Sequence, residues 1–266
     1  MVFVMVRPRV LLVNDDGVGA PGIFCLKCVL ESWCDVFVVA PLVDQSGVGR
    51  CLSLFNRFEV EDFVFPDGTS GYGLDGTPAD CVLMGFYELM GEDVDLVVSG
   101  INLGHNLGGR ICNSGTVGAA LEGACCGVPG VAVSLEIDKD SVDFVDGEVR
   151  FKVEPDFSFA GEVLERVIRK VLVDGLPVGV DVLNVNVPFD PVDDELVSTF
   201  LADKVFDLRM VKDKGEDFSY LFASMVADEE LERGSDAFCL RVTRRVSVSP
   251  LSLDMGSGVD LEDWLK

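Results

Sequence analysis

The chain reads as short, continuous apolar runs that stop abruptly at polar loops. Arg9–Val13 (RVLLV) ends at Asn14-Asp15-Asp16-Gly17, and Asp35–Ala40 (DVFVVA) ends at Pro41 and a Gly-rich loop over Asp44–Gly49. Asp95–Ser99 (DLVVS) runs into a long loop over Gly100–Asn113, while Val131–Ser134 and Val180–Pro188 (VDVLNVNVP) repeat the signature. Such runs predict strands buried on both faces. Between them, helical patterns are expected over Gly22–Leu30, from Thr77-Pro78-Ala79-Asp80 to about Met90, from Ser114-Gly115-Thr116 to about Cys126, and over Asp156–Val173. The Thr-Pro-Ala-Asp start supplies an N-cap, a first-turn proline and an acidic third position. Alternation of strand and helix predicts an α/β fold, a Rossmann-like three-layer α/β/α sandwich, because parallel strands need helical crossovers. Leu52–Phe65 alternates more loosely and predicts hairpin material, and Asp138–Glu148 an acidic surface segment. Beyond Pro188 the pattern weakens into hairpin-like pieces and a short closing helix near Leu261. No internal repeat is visible.

Composition narrows the partners. At 266 residues, 48% hydrophobic and 9% aromatic, the chain is neither a disordered tail, a collagen nor a coiled coil. No apolar run approaches the ~20 residues that cross a bilayer. The net charge of −25, from 46 Asp and Glu against 21 Lys and Arg, repels nucleic acid polymers and anionic membrane surfaces. The basic residues favour Arg over Lys, 13 to 8, and the acidic ones favour Asp, a balance that suits a concentrated-salt cytoplasm. Nine cysteines lie in or beside apolar stretches and read as small core residues. Cys25 and Cys28 form a C-x-x-C inside a helical pattern, with no second pair to complete a zinc set. The opening Met1–Val6 is apolar before it is basic, the reverse of a signal peptide, so a reducing, cytoplasmic location is expected.

In doubly wound sheets ligands bind beyond the carboxyl ends of the strands. The unusual polar clusters here all fall at such ends: Asn14, Asp15 and Asp16 after the first strand, Gln45-Ser46-Gly47 after the second, Asn102, Asn106 and the Ser114 helix start after the third. Taken singly these read as a turn, a cap and left-handed loop residues; their placement at successive strand ends points to a site. Two adjacent carboxylates at a strand end repel each other unless a cation lies between them. Hydroxyl and amide oxygens from Ser46 and Asn102 would complete a hard ligand set for one Mg²⁺ or Mn²⁺ per subunit. Gly17-Val18-Gly19-Ala20-Pro21-Gly22 also fits the dinucleotide fingerprint, but Asp15 and Asp16 would face the pyrophosphate, and Ala40-Pro41 stands where a ribose-binding acid is expected.

Several stretches resemble a known family, the stationary-phase survival protein E (SurE) family of metal-dependent nucleoside monophosphate phosphatases. They are LLVNDDGVGAPGI (Leu11–Ile23), VVAPLVDQSGVG (Val38–Gly49), GTPADCV (Gly76–Val82), DLVVSGINLGHNLG (Asp95–Gly108), SGTVGAALEGA (Ser114–Ala124), LNVNVP (Leu183–Pro188) and, more weakly, GSDAFCLRVTRRVSVSPL (Gly234–Leu251). Together they span most of the chain in the family's order. The resemblance implies a Rossmann-like catalytic core over residues 1–188 and a hairpin and helix region over 189–266 that assembles a homodimer or homotetramer. It makes Asp15 and Asp16 the catalytic residues, Asp15, Asp16, Ser46 and Asn102 the metal ligands, and Asn106, Ser114, Gly115 and Thr116 the phosphate site. A helix start suits phosphate because free N–H groups and the helix dipole favour an anion. Arg50, Cys51 and Asn113 depart from the family's pattern at positions tied to base or sugar preference.

The resulting expectation is a 5′-nucleotidase, a phosphoric monoester hydrolase releasing nucleoside and phosphate. Two rivals differ in kind: an enzyme in which Asp15 is the nucleophile and forms an aspartyl-phosphate, and a nucleotide-binding regulatory or assembly protein without turnover.

Overall fold

The computed structural model describes residues 7–145, 148–212, 218–256 and 262. The elements follow in order β1 (Arg9–Val13), α1 (Pro21–Leu30), β2 (Asp35–Pro41), β3 (Val60–Val64), β4 (Ser70–Leu74) and α2 (Pro78–Leu83), which a π-helical turn carries to Leu89. Next come β5 (Leu96–Leu103), a 3₁₀ turn (Gly108–Asn113), α3 (Gly115–Cys125), β6 (Gly130–Leu135), β7 (Val142–Val145) and β8 (Glu148–Phe151). The chain closes with α4 (Ser158–Asp174), β9 (Val182–Val187), β10 (Leu196–Ser198), β11 (Phe206–Lys212), β12 (Phe218–Met225), α5 (Asp236–Phe238) and β13 (Val246–Leu251).

Among the described residues nine strands form one sheet in the order β10-β13-β9-β6-β5-β1-β2-β4-β3. The stretch from β9 to β4 is parallel; β3 is antiparallel to β4, and β13 to β9. Alternation along β1 divides the core. Val10 and Leu12 pack with Ile23 and Leu26 of α1 and Leu164 and Ile168 of α4, while Leu11 and Val13 pack with Cys81, Val82 and Ala119 from α2 and α3. This is the expected three-layer arrangement with helices on both faces of a largely parallel sheet. No described helix is long and apolar enough to cross a membrane.

The expected helix at Thr77 forms through a full capping box: the Thr77 side chain takes the Asp80 N–H, and the Asp80 carboxylate takes the Thr77 N–H at 2.9 Å. Elsewhere the structure corrects the sequence reading. The hairpin expected within Leu52–Phe65 uses only Val60–Val64 of that stretch, and its second strand, SGYGL over Ser70–Leu74, lies outside it. The expected loop Gly100–Asn113 begins as the end of β5 and finishes as a 3₁₀ turn. Asp138–Glu148 is not a plain surface segment: a 3₁₀ turn at Lys139–Ser141 leads into the β7–β8 hairpin. The sheet also runs across position 188, because β13 returns to pair with β9 and carries β10 on its outer edge. β11 and β12 form a separate antiparallel hairpin. The closing helix near Leu261 lies outside the described residues.

Candidate active site

The loops after β1, β2 and β5 and the start of α3 surround a cleft of about 470 Å³. Of the residues expected from sequence, Asp15, Ser46, Asn102, Asn106 and Ser114 line it. Asp16, next to Asp15, and Gly115 and Thr116, next to Ser114, are not part of its lining.

Asp15 is held rather than presented. Its two carboxylate oxygens accept the Thr116 hydroxyl at 2.6 Å and the Thr116 N–H at 3.0 Å, and only 3% of the residue is exposed. Thr116, expected at the phosphate, therefore spends both donors on Asp15. Asp16 accepts the Leu103 N–H at 3.2 Å. Burial raises the pKa of both acids, with Asp44 adding repulsion to each; Asp16, which also feels the charge of Asp15, is raised to about 7.

The second loop adds Ser46, whose N–H and hydroxyl both donate to Asp44 at 2.7 Å. The hydroxyl proton is thus turned toward Asp44, and the oxygen lone pairs remain for another partner. Asn102 donates its side-chain amide to the Gly104 carbonyl at 2.6 Å, which leaves Oδ1 as an acceptor on the cleft. Buried Asp15, the Asn102 amide oxygen and the Ser46 hydroxyl oxygen thus share one cleft, with half-buried Asp16 next to Asp15 in sequence, and no cationic side chain is among the groups that shift either acid. This all-oxygen donor set fits a hard divalent cation such as Mg²⁺ or Mn²⁺, and no thiolate or imidazole is drawn in to favour zinc. Among the described residues no group of three or more His, Cys, Asp or Glu could hold a metal, so the amide and hydroxyl are essential to the fit.

At the start of α3 the donors are divided. The Thr116 N–H goes to Asp15 and the Val117 N–H to the Ser114 hydroxyl oxygen at 3.1 Å, so the Gly115 N–H and the Ser114 hydroxyl proton, without an acceptor among the described residues, remain for an anion. Asn106 gives one amide proton to Ser134 Oγ at 2.8 Å and keeps the other. Ser114→Ala removes both a donor and a cap. The expected result is a KM for a phosphate ester raised about three- to tenfold with weaker phosphate inhibition, plus a loss of about 1 kcal/mol of stability. Steady-state kinetics and a thermal melt check the two parts separately; a melting shift with unchanged kinetics would leave Ser114 a cap alone.

Several lining residues are not legible in the sequence. Phe206 and Leu208 of β11 form an apolar wall, and Arg110, stacked over Phe206 with 5.0 Å from guanidinium to ring centre, is the cationic side chain of the lining. Nothing in sequence links positions 110 and 206. Asp44 carried a signal, an acid two residues before a serine in a Gly-rich loop, that marks a local side-chain turn. Arg50, one of the departures from the family pattern, pairs with Glu122 at 3.5 Å and does not line the cleft.

His105, the only histidine of the chain, is half-buried and lines the cleft. His105→Gln is expected to keep turnover within about tenfold, short of the ~10²–10⁴ lost with a general acid or base. A thousandfold fall in kcat at unchanged metal affinity would make His105 the acid.

The last of the fingerprint-like glycines, Gly22, serves packing. A Cβ on Gly22 would lie 2.0 Å from the Ile101 carbonyl oxygen, so the absent side chain is what lets α1 lie on β5.

Residues 10–206 match the family described as Survival protein SurE. Over 263 residues the chain is 38% identical to the 5′-nucleotidase SurE of Methanobrevibacter smithii, covering 97% of this chain and 100% of that one. It is 43% identical over 205 residues to the 5′-nucleotidase SurE of Methanothermobacter thermautotrophicus, covering 77% of each. The crystal structure of the SurE protein from Aquifex aeolicus is similar with a TM-score of 0.77 at 33% identity, covering 94% of this chain and 95% of that one.

Proposed function

Because this chain belongs to the SurE family, we propose that it is a divalent-metal-dependent phosphomonoesterase, a 5′-nucleotidase that hydrolyses nucleoside monophosphates to nucleoside and phosphate. The observation that carries the reading is the adjacent pair Asp15 and Asp16, with no cationic partner among the described residues, set directly against the open start of α3 at one cleft. The names of the relatives, 5′-nucleotidase SurE, support the same class of substrate.

Asp15, Asp16, Ser46 and Asn102 would hold one Mg²⁺ or Mn²⁺. When bound, such a cation supplies Lewis-acid polarisation of the phosphoryl oxygens and lowers the pKa of water. The chain's own groups do the positioning. Ser114 and the Gly115 N–H receive the phosphoryl oxygens, where the helix dipole favours their charge as it builds. Asn106 adds its free amide proton. Leu107, Phe206 and Leu208 offer apolar surface to the nucleoside and keep water from that side. The local donors offset a molecular charge of −25 that opposes an anionic substrate at long range.

Asp15 is poorly suited to attack phosphorus, because both oxygens are engaged by Thr116 and the residue is almost wholly buried. This favours the ligand role over the aspartyl-phosphate route. Exposed Met210 and Met225 on the β11–β12 hairpin support assembly of a homodimer or homotetramer, and the free cysteines suit a reducing cytoplasm. The test is phosphate release from a panel of nucleoside monophosphates with and without EDTA. Release that EDTA abolishes and Mn²⁺ or Mg²⁺ restores is expected; tight nucleotide binding with no release would favour a regulatory binding protein.

A further inference from the structure

β9 carries asparagines where the core strand of a parallel sheet ordinarily carries valine. Val185 and Val187 point to one face, and Asn184 and Asn186, both fully buried, to the other. Their register neighbours are polar as well: Ser134 of β6 beside Asn186, and Ser247 and Ser249 of β13 beside Asn186 and Asn184. Thr199 extends the stripe by pairing with both serines at 2.8 Å. A buried polar stripe is costly unless its groups find partners.

The partner of its inner end is one residue of the cleft loop. Asn186 Oδ1 accepts the Asn106 N–H at 2.8 Å, and Asn186 Nδ2 donates to the Asn106 carbonyl at 2.9 Å. A side-chain amide thus meets both backbone groups of Asn106 as a neighbouring strand would. Asn184 Nδ2 donates to the same carbonyl at 2.9 Å, while its own Oδ1 stays buried with no hydrogen-bond partner among the described residues. Ser134 Oγ takes the Asn106 side-chain amide. One loop residue is therefore gripped at its N–H, its carbonyl and its side chain from the sheet below.

We propose that Asn186, backed by Asn184 and Ser134, is a positioning residue that fixes the cleft-lining segment His105–Leu107 on the sheet and sets the place of the Asn106 amide. The consequence for turnover rests on the phosphatase reading; the fixing of the loop does not.

The test uses the full chain with Asn186→Ala and Asn186→Asp, and with Thr199→Val as a loss of buried polarity in the same stripe away from the loop. Asn186→Asp keeps an acceptor for the Asn106 N–H but sets an oxygen against its carbonyl. Hydrogen exchange over residues 103–108 is expected to quicken at least about tenfold in both Asn186 variants and to stay unchanged in Thr199→Val, with β6 and β9 still protected. Inorganic phosphate should slow exchange over 103–108 in the parent and fail to do so in Asn186→Ala. Against a nucleoside monophosphate with Mn²⁺, kcat/KM should fall about thirtyfold in the Asn186 variants and less than about twofold in Thr199→Val. If Asn186→Asp does not fold, Asn186→Ala carries the measurement. Unchanged exchange in Asn186→Ala, or equal quickening in Thr199→Val, would overturn the proposal. A parent with no turnover but with the expected exchange pattern would refute the phosphatase reading and leave the fixing of the loop intact.

Discussion

Asp16→Asn lowers metal-dependent turnover by at least about a thousandfold while leaving the protein folded. The substitution keeps the size of the side chain and an oxygen for the Leu103 N–H, and removes only the charge offered to the cation. Without metal it should not destabilise. Burial and the neighbouring Asp15 raise the Asp16 pKa to about 7, so the folded state holds the proton more tightly than the unfolded chain does. The metal-free parent accordingly loses stability as pH rises from about 4 through about 7, and Asp16→Asn escapes that loss. Melts at pH 5 and pH 8 in EDTA check the sign, and kinetics at saturating Mn²⁺ check the activity. Near-parental turnover would remove Asp16 from the ligand set.

Gly115→Ala is expected to cost at least about a hundredfold in turnover with a loss of only about 1–3 kcal/mol of stability. A Cβ there would stand 2.8 Å from the Asp15 Cβ and 2.9 Å from its Oδ2. Asp15 is buried apart from its edge on the cleft and cannot yield without breaking its bonds to Thr116, so the new methyl group displaces a carboxylate rather than opening a surface. The concentration of Mn²⁺ for half-maximal activity should rise with the fall in rate. An alanine variant with parental activity would mean that the Asp15 position is not critical.

These two residues also show what the sequence can and cannot convey. The Asp15-Asp16 pair and the Ser-Gly-Thr helix start are local patterns, legible because each sits where an apolar run ends or a helix begins. The strands at Arg9–Val13 and Asp35–Pro41 are equally plain, since burial on both faces leaves an unbroken apolar run. Ser70–Leu74 escaped because Gly71 and Gly73 interrupt its pattern, their missing side chains making room for Val38, Phe65 and Leu42. The division of labour within Ser-Gly-Thr was likewise hidden: only the three-dimensional approach of β1 and α3 shows that Thr116 serves Asp15 while Ser114 faces the cleft. The wall from Phe206 and Leu208 depends on a chain return across some ninety residues from the loop it faces, and no local pattern encodes such a return.

The proposed nucleoside monophosphate phosphatase activity rests on one divalent cation held by Asp15, Asp16, Ser46 and Asn102. Titrating metal-stripped protein with Mn²⁺ while following phosphate release and calorimetric binding together tests it most directly. Turnover is expected to rise in step with occupancy and to saturate at one equivalent per chain, with neither binding nor turnover in Asp16→Asn. Turnover in the stripped protein that Mn²⁺ leaves unchanged, or binding that persists in Asp16→Asn, would contradict it.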